Sequence, residues 1–305
     1  MSKRRIYNII TIGKCRDEVK VLPFKVSKTI NSSFLIQVDD QPYFYDILHK
    51  HPELQLTTIL ESDGTVLIGD YVGNFKAGDV FLINSNVPHV FKNDKKYYAE
   101  AEGLRAFGIS IFFEETLFGE KFFKLPETQI VGQFLSKRQS LRLHPKTAEV
   151  LIPKITKLQT LNNLSKVIEM LSILEILANA EDSITLTSDI THDYTESQAK
   201  RLNDIYQFTM NEFHREITLE EVADVSNMTV PSFCRYFKKR TRKTYIEFLT
   251  EMRVSYACKL LQKEDLSITG VCHLSGFNNL SNFNRKFKKI TGFTPTVFRR
   301  INHNL

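Results

Sequence analysis

The segment Gly276–Arg300, GFNNLSNFNRKFKKITGFTPTVFRR, organises the rest of the chain. Gly276 permits a sharp turn, and a short polar run leads into a helix carrying Phe283 and Phe287 four residues apart, on one buried face. The other face presents Ser281, Asn282, Asn284, Arg285, Lys288 and Lys289. Gly292 supplies a helix stop, and Thr294-Pro295 prevents continuation. Asn and Arg side chains suit the edges of adenine and guanine, and lysines suit phosphates. Just upstream, Ser267 is placed to cap a short helix over Ile268–Leu274, with Val271 and Leu274 inward. Helix, turn and polar-basic helix make the pattern of a helix-turn-helix DNA reader; a solvated basic helix is the plainer alternative.

A second copy removes that alternative. Within Thr218–Thr244, Val222, Ala223 and Ser226 match Val271, Cys272 and Ser275 at an offset of 49 residues. Phe233, Arg235, Phe237, Lys238 and Lys239 match Phe283, Arg285, Phe287, Lys288 and Lys289 at an offset of 50. The extra residue falls in the turn, where insertions are tolerated. Ser232, Arg235 and Lys239 share an outer stripe, Arg235 being the candidate for a bidentate guanine contact with a phosphate contact as its alternative, while Lys238, Lys239 and Arg240 suit the phosphate backbone. Thr229 is placed to cap this helix and Pro231 sits in its first turn.

The last 110 or so residues resemble the DNA-binding domain of the AraC/XylS family of transcriptional regulators. Gly276, Phe277, Phe283, Arg285, Phe287, Lys288, Gly292, Thr294, Pro295 and Arg299 all fit the family pattern. The first copy departs from it at Arg242, which stands where a helix-ending glycine is usual; a left-handed conformation there costs a side chain on the order of 1 kcal/mol. The resemblance implies double-stranded DNA as a partner, a small-molecule effector (sugars among the candidates), RNA polymerase as a further partner, homodimerisation, and activation of transcription.

Charge follows the same division. Residues 196–305 hold 18 Lys+Arg against 11 Asp+Glu, whereas the remainder holds 23 against 24. The basic surplus therefore belongs to the double reader, as an electrostatic footprint for DNA should. The N-terminus is too short and polar in its apolar run for a signal peptide, and no apolar stretch reaches the length of a membrane span. Cys15, Cys234, Cys258 and Cys272 form no CxxC pair, so neither zinc nor a disulfide framework is expected and a cytoplasmic location fits.

Residues 1–115 read as mostly strand: Phe34–Val38, Leu56–Leu60, Val66–Ile68, Val80–Ile83 and Phe107–Phe113, divided by turn signals at 62–64, 73–74, 77–79 and 86–88. Short, regularly punctuated strands suggest a small sandwich or barrel. His49-Lys50-His51-Pro52-Glu53 and Gly78-Asp79…Pro88-His89 resemble the two motifs of a cupin, the β-barrel many regulators of this family carry as a sensor. In catalytic cupins such histidines and an acid hold a metal. Here Gln55 stands at the acid's position, and a neutral amide is a poor ligand for a divalent ion. His49, His51, Gln55 and His89 are therefore candidates for ligand binding, with a metal site and a purely structural role as competing readings; no metal or other cofactor is assigned.

Ala148–Leu161 and Leu164–Leu177 carry apolar residues at helical spacing, with Asn162-Asn163 as the corner between them. They either pack on the barrel or form a dimer interface. Glu181–Ser197 reads as a linker. Ala199–Phe213 is a lead-in helix, and Tyr245–Gln262, with Ile246 among its apolar positions, is a stiff spacer on the order of 27 Å long between the readers. The expected architecture is α+β and multidomain: a cupin-like β-barrel over 1–115, a helical linker or dimerisation region over 116–195, and an all-α domain with two helix-turn-helix motifs over 196–305. The function expected is sequence-specific regulation of transcription, not catalysis; a metal-dependent cupin enzyme recruited to DNA is the alternative.

Overall fold

A computed structural model describes residues 32–99, 103–119, 121–188, 196–262 and 266–303. Cys15, and residues 189–195 of the expected linker, lie outside the described residues.

The N-terminal part is β-rich. Its strands are β1 (Phe34–Gln41), β2 (Leu54–Glu61), β3 (Asp63–Ile68), β4 (Tyr71–Lys76), β5 (Val80–Ile83), β6 (His89–Asn93), β7 (Ala106–Phe113), β8 (Gln139–Arg142) and β9 (Ile184–Ser188). They form a six-stranded sheet in the order β1-β7-β2-β5-β8-β9 and a three-stranded sheet β4-β3-β6, paired antiparallel throughout. The expected barrel is thus corrected: among the described residues the strands make two facing sheets and no closed barrel. Two further expectations change. Gly73-Asn74 is the middle of β4, not a turn, and residues 184–188 of the expected linker pair with β8 as strand β9.

Alternation along the strands explains the layering. Leu54, Leu56, Val80, Leu82, Ile109 and Ile111 point to one face of the large sheet and are buried. Two helices cover that face, α2 (Pro145–Lys157) through Leu151 and Ile155, and α3 (Asn163–Ala178) through Met170, Ile173, Leu174 and Leu177; α1 (Gln129–Ser136) joins them through Val131 and Leu135. The opposite residues, Ile59, Phe81 and Ile83, meet Val66, Ile68, Phe75 and Phe91 of the small sheet.

The C-terminal part is helical: α4 (Glu196–Glu212), α5 (Leu219–Val225), α6 (Val230–Thr241), α7 (Tyr245–Leu260), α8 (Ile268–Leu274), α9 (Leu280–Thr291) and α10 (Pro295–His303). Capping chemistry sets several boundaries. Thr218 with Glu221 and Thr244 with Glu247 form reciprocal capping boxes, and Ser267 and Asn279 accept from the backbone N–H of Gly270 and Asn282. Thr229 holds the cap position of α6 in extended backbone, yet its side chain makes no capping bond, so Pro231 in the first turn carries that boundary. The first reader closes on Val222, Phe233, Phe237 and Phe248, and the second on Val271, Phe277, Phe283 and Phe287, with α7 shared between them. Leu274 and Ile246 are corrected from apolar packing positions to half-exposed surface ones.

The outer face of the small sheet is closed by the reader itself. Leu67, Val72 and Val90 share a buried cluster with Leu48, Leu202, Ile205 and Tyr206. Each such side chain contributes roughly 1.5–3 kcal/mol on burial. Polar contacts fix the docking: the Leu48 N–H donates to Asn203 Oδ1 (3.0 Å), and Lys259 on α7 inserts between Asp63 and Asp94, 2.5 Å from each carboxylate. Asn74 on β4 donates to the Ser255 carbonyl of α7.

Candidate nucleic-acid interface and a buried histidine cluster

Helices α6 and α9 bury their phenylalanines completely and leave the opposite faces to solvent. On α6, Arg235, Lys238 and Lys239 are exposed and Ser232 is half-buried. On α9, Ser281, Asn282, Arg285, Lys288 and Lys289 are exposed and Asn284 is half-buried. Arg285 Nη2 donates to Asn282 Oδ1 at 3.0 Å, a bond that pre-orients the guanidinium on the outer face. Both helices end in left-handed backbone, at Gly292 (φ 80°) and at Arg242 (φ 58°), so the first copy adopts the glycine-like cap without a glycine.

The turns between scaffold and recognition helices use the same conformation. Asn227 has φ 52° and Gly276 φ 80°. At Gly276 a side chain is excluded by space as well, because a Cβ would lie 2.3 Å from the Phe213 carbonyl oxygen. That contact anchors the second turn against the end of α4, an interaction the repeat alone did not signal.

The structure also brings His49, His51, Gln55 and His89 together. A single antiparallel bridge joins His49 to His89 through N–H···O bonds of 3.1 and 2.9 Å, and all three rings are buried. Each Nδ1 lies 2.8–3.0 Å from a backbone carbonyl, that of Ile47, Glu53 or Val87. A carbonyl only accepts, so each Nδ1 carries the ring proton and each Nε2 presents a lone pair. Burial lowers the basicity of all three, His49 to about 4, and keeps the rings neutral. The side-chain amide of Gln55 lies 3.0 Å from His51 Nε2 and 2.9 Å from His89 Nε2, and its far end reaches the Thr57 (2.7 Å) and Ser110 (3.3 Å) hydroxyls. The amide's two ends are nearly isosteric. Only one orientation satisfies every partner: NH2 toward the imidazoles, oxygen toward the hydroxyls.

The ligand atoms of the three histidines lie within 4.8 Å of one another, close enough for one divalent ion. The donor set does not favour it. Gln55 occupies two of the three Nε2 lone pairs, and the Glu53 carboxylate stands 3.6 Å from Nδ1 of His51, on the side away from the cluster. The cavity beside Gln55 measures about 50 Å³, room for a water or two and far below the ~300 Å³ of a small ligand pocket. Phe44, Phe75, Phe81 and Phe91 fill the rest, with ring centroids 5.5–6.4 Å apart.

With this geometry in place, comparison with known proteins supplies the class. Residues 222–301 match the model of a helix-turn-helix domain. Over 260 residues the chain is 22% identical to the uncharacterized HTH-type transcriptional regulator YdeC of Bacillus subtilis, covering 85% of this chain and 87% of that one. It is 28% identical over 105 residues to the HTH-type transcriptional activator RhaS of an Enterobacter species, covering 34% of this chain and 38% of that protein. Among solved structures, the DNA-binding domain of AdpA in complex with a target DNA matches 33% of the chain at 24% identity and a TM-score of 0.32. The chain carries a helix-turn-helix domain and is similar, over most of its length, to a transcriptional regulator. The relatives are regulators and not enzymes, which sets aside the reading of a metal-dependent cupin enzyme recruited to DNA. Among the described residues, no helix is long and apolar enough to cross a membrane.

Proposed function

We propose that the protein is a sequence-specific regulator of transcription, working in the cytoplasm, whose two recognition helices read successive major grooves and whose affinity for DNA is set by a small molecule. Residues 196–305 are the reader, 1–115 the sensor, and 116–195 the linking and dimerisation region. The observation that carries this reading is the duplication itself: Arg235 and Arg285 occupy equivalent exposed positions on α6 and α9, and α7 joins the two readers as one rigid rod about 24 Å long. A groove recurs on one face of B-DNA every ~34 Å, a spacing such a rod can bridge with two helices. Arg235, Ser232, Arg285, Asn282 and Asn284 contact bases; Lys238, Lys239, Ser281, Lys288 and Lys289 hold phosphates. A second copy of the chain docks on α3, where Leu164 and Ile168, one turn apart, are 69% and 57% exposed. The regulator activates transcription with RNA polymerase as its partner, and similarity to an activator supports the activation.

Sequencing the DNA recovered with the full-length protein defines the site. Inserting about 5 bp, half a helical turn, between its two segments should then leave at most one reader engaged. An operator that keeps full affinity and both footprints after the insertion would overturn the two-groove reading.

A further inference from the structure

The two recognition helices share one frame, residue for residue. α6 and α9 are each 12 residues long, and every position of one has its equivalent 50 residues away in the other. Phe233 and Phe237 are as fully buried as Phe283 and Phe287. Toward the C-terminal end, the Thr241 hydroxyl donates to the Phe237 carbonyl at 2.9 Å, and the Thr291 hydroxyl donates to the Phe287 carbonyl at 2.9 Å. An outer residue of α6 and its equivalent on α9 therefore leave their helices in the same direction.

Within that common frame the outer faces differ. Spacings of 3, 4 and 7 put Pro231, Cys234, Arg235 and Lys238 on one stripe of α6, all of them exposed. The equivalent stripe of α9 is Ser281, Asn284, Arg285 and Lys288. The arginine and the lysine are common to both. At the other two positions α9 offers a hydroxyl and a carboxamide, where α6 offers a pyrrolidine ring and a free thiol. The ring carries no hydrogen-bonding group, and a thiol behaves as a small hydrophobe with a weak S–H donor. Neither closes the core, which the phenylalanines do from the opposite face. The first half of a recognition helix is the half that meets base edges. A carboxamide there matches adenine N6 and N7, whereas the apolar feature of the major groove is the thymine 5-methyl.

We propose that the two readers take different base edges at one equivalent step: α9 an adenine through Asn284, and α6 a thymine through its 5-methyl group, packed against Cys234 and Pro231. The proposal rests on the reading that α6 enters a major groove, and adds the specificity-determining pair that this reading lacks. The operator is then not two copies of one sequence, although its readers are two copies of one motif. Both segments keep a guanine, for Arg235 and for Arg285, and they diverge beside it.

The test uses the full-length protein and an operator defined from recovered DNA. Each thymine of the segment under α6 is replaced in turn by deoxyuridine, which deletes the methyl group and keeps every hydrogen-bonding atom. At one position the affinity should fall about fourfold, the worth of one buried methyl-sized group. Cys234→Ala, still apolar, should retain most of that sensitivity. Cys234→Asn should lose it and, in selection from randomised DNA, draw the α6 segment toward the base pair that α9 prefers. Indifference to deoxyuridine at every position, or a deoxyuridine effect unchanged in Cys234→Asn, overturns the proposal. Alkylation of Cys234 by N-ethylmaleimide, located by peptide mapping, separates this failure from that of the groove reading. Operator DNA should slow the alkylation. Protection without a deoxyuridine effect removes the thymine contact alone, whereas no protection removes α6 from the groove and the proposal with it.

Discussion

Asn282 and Arg285 act as one unit: the asparagine accepts from the guanidinium at 3.0 Å while its own backbone N–H is held by Asn279 Oδ1 at 2.9 Å. The guanidinium is therefore aimed before DNA arrives. Arg285→Ala should cost roughly 1–3 kcal/mol on the preferred site and relax specificity only in the segment read by α9. Lys288→Ala should weaken binding to all sequences alike and reduce the salt slope by about one ion. Selection from randomised DNA separates the two, and a uniform loss for Arg285→Ala would deny it a base-reading role.

Gly276 and Gly292 share a φ of 80° but differ in surroundings. A Cβ at Gly292 meets open space, so Gly292→Ala should cost only backbone strain, about 1 kcal/mol. At Gly276 the same change adds a clash with the Phe213 carbonyl, and the loss should rise to roughly 2–4 kcal/mol. Urea unfolding of the two variants measures the difference; equal losses would mean that the turn does not press on the end of α4.

Lys259 separates two carboxylates that would otherwise face each other. Burial alone would raise the Asp63 carboxyl, but hydrogen bonds from Lys259, Lys96 and Tyr97 outweigh it and hold the group well below the usual carboxylate range. Burial pushes Asp94 up despite Lys259, and Asp63 adds to that rise. The Asp63 contribution is present above its unfolded pKa of about 4 and is lost as pH falls through the lower folded value. Lys259→Met should cost roughly 3 kcal/mol at pH 7, the low end for breaking a buried pair because both acids keep some solvent contact. The penalty should shrink near pH 4, where the variant's acids can take up a proton and stop repelling. A penalty independent of pH would show that the acids are not repelling one another in the variant.

The histidine cluster gives a different profile. Burial holds His49 at about 4, with the Ile47 carbonyl opposing and His51 reinforcing; His89 moves in the same direction. A base with a depressed folded pKa stabilises fully above its unfolded value, near 6.5, and loses that contribution as pH falls. For His49 alone, stability should decline by roughly 3 kcal/mol between pH 7 and pH 4. The protein purified without chelator should hold no stoichiometric Zn, Fe, Ni or Mn. A full metal complement that His51→Ala abolishes would show that Gln55 yields its place to an ion.

The readers were legible because a helix-turn-helix writes itself locally: Phe233/Phe237 and Phe283/Phe287 recur at helical spacing, with caps and stops in register. The sheets were less so. Gly73-Asn74 carries a turn signature, yet pairing with Val66 and Thr65 of β3 draws it into a strand, and β9 lies in a polar segment that only β8 organises. Likewise Leu67, Val72 and Val90 look like ordinary strand residues; nothing local marks that their face meets the helical part and not the core between the two sheets. The histidines and Gln55 could be grouped through their resemblance to the two cupin motifs, but mutual saturation of their polar atoms depends on Thr57 and Ser110 from strands they do not share with all the rings.

The small sheet has no outside. Phe75 and Phe91 face the interior of the N-terminal part, while Leu67, Val72 and Val90 face the helical part, so one three-stranded layer serves as a party wall between two rooms. Such a wall restricts how the two parts can drift over generations. An enlarged side chain at Leu67 or Val90 must be met by a reduced one among Leu202, Ile205 and Tyr206, making these positions change in pairs across a boundary that DNA recognition itself never touches. A reader transplanted onto a foreign sensor inherits that constraint: it keeps its operator but arrives with an apolar socket cut for somebody else's strands.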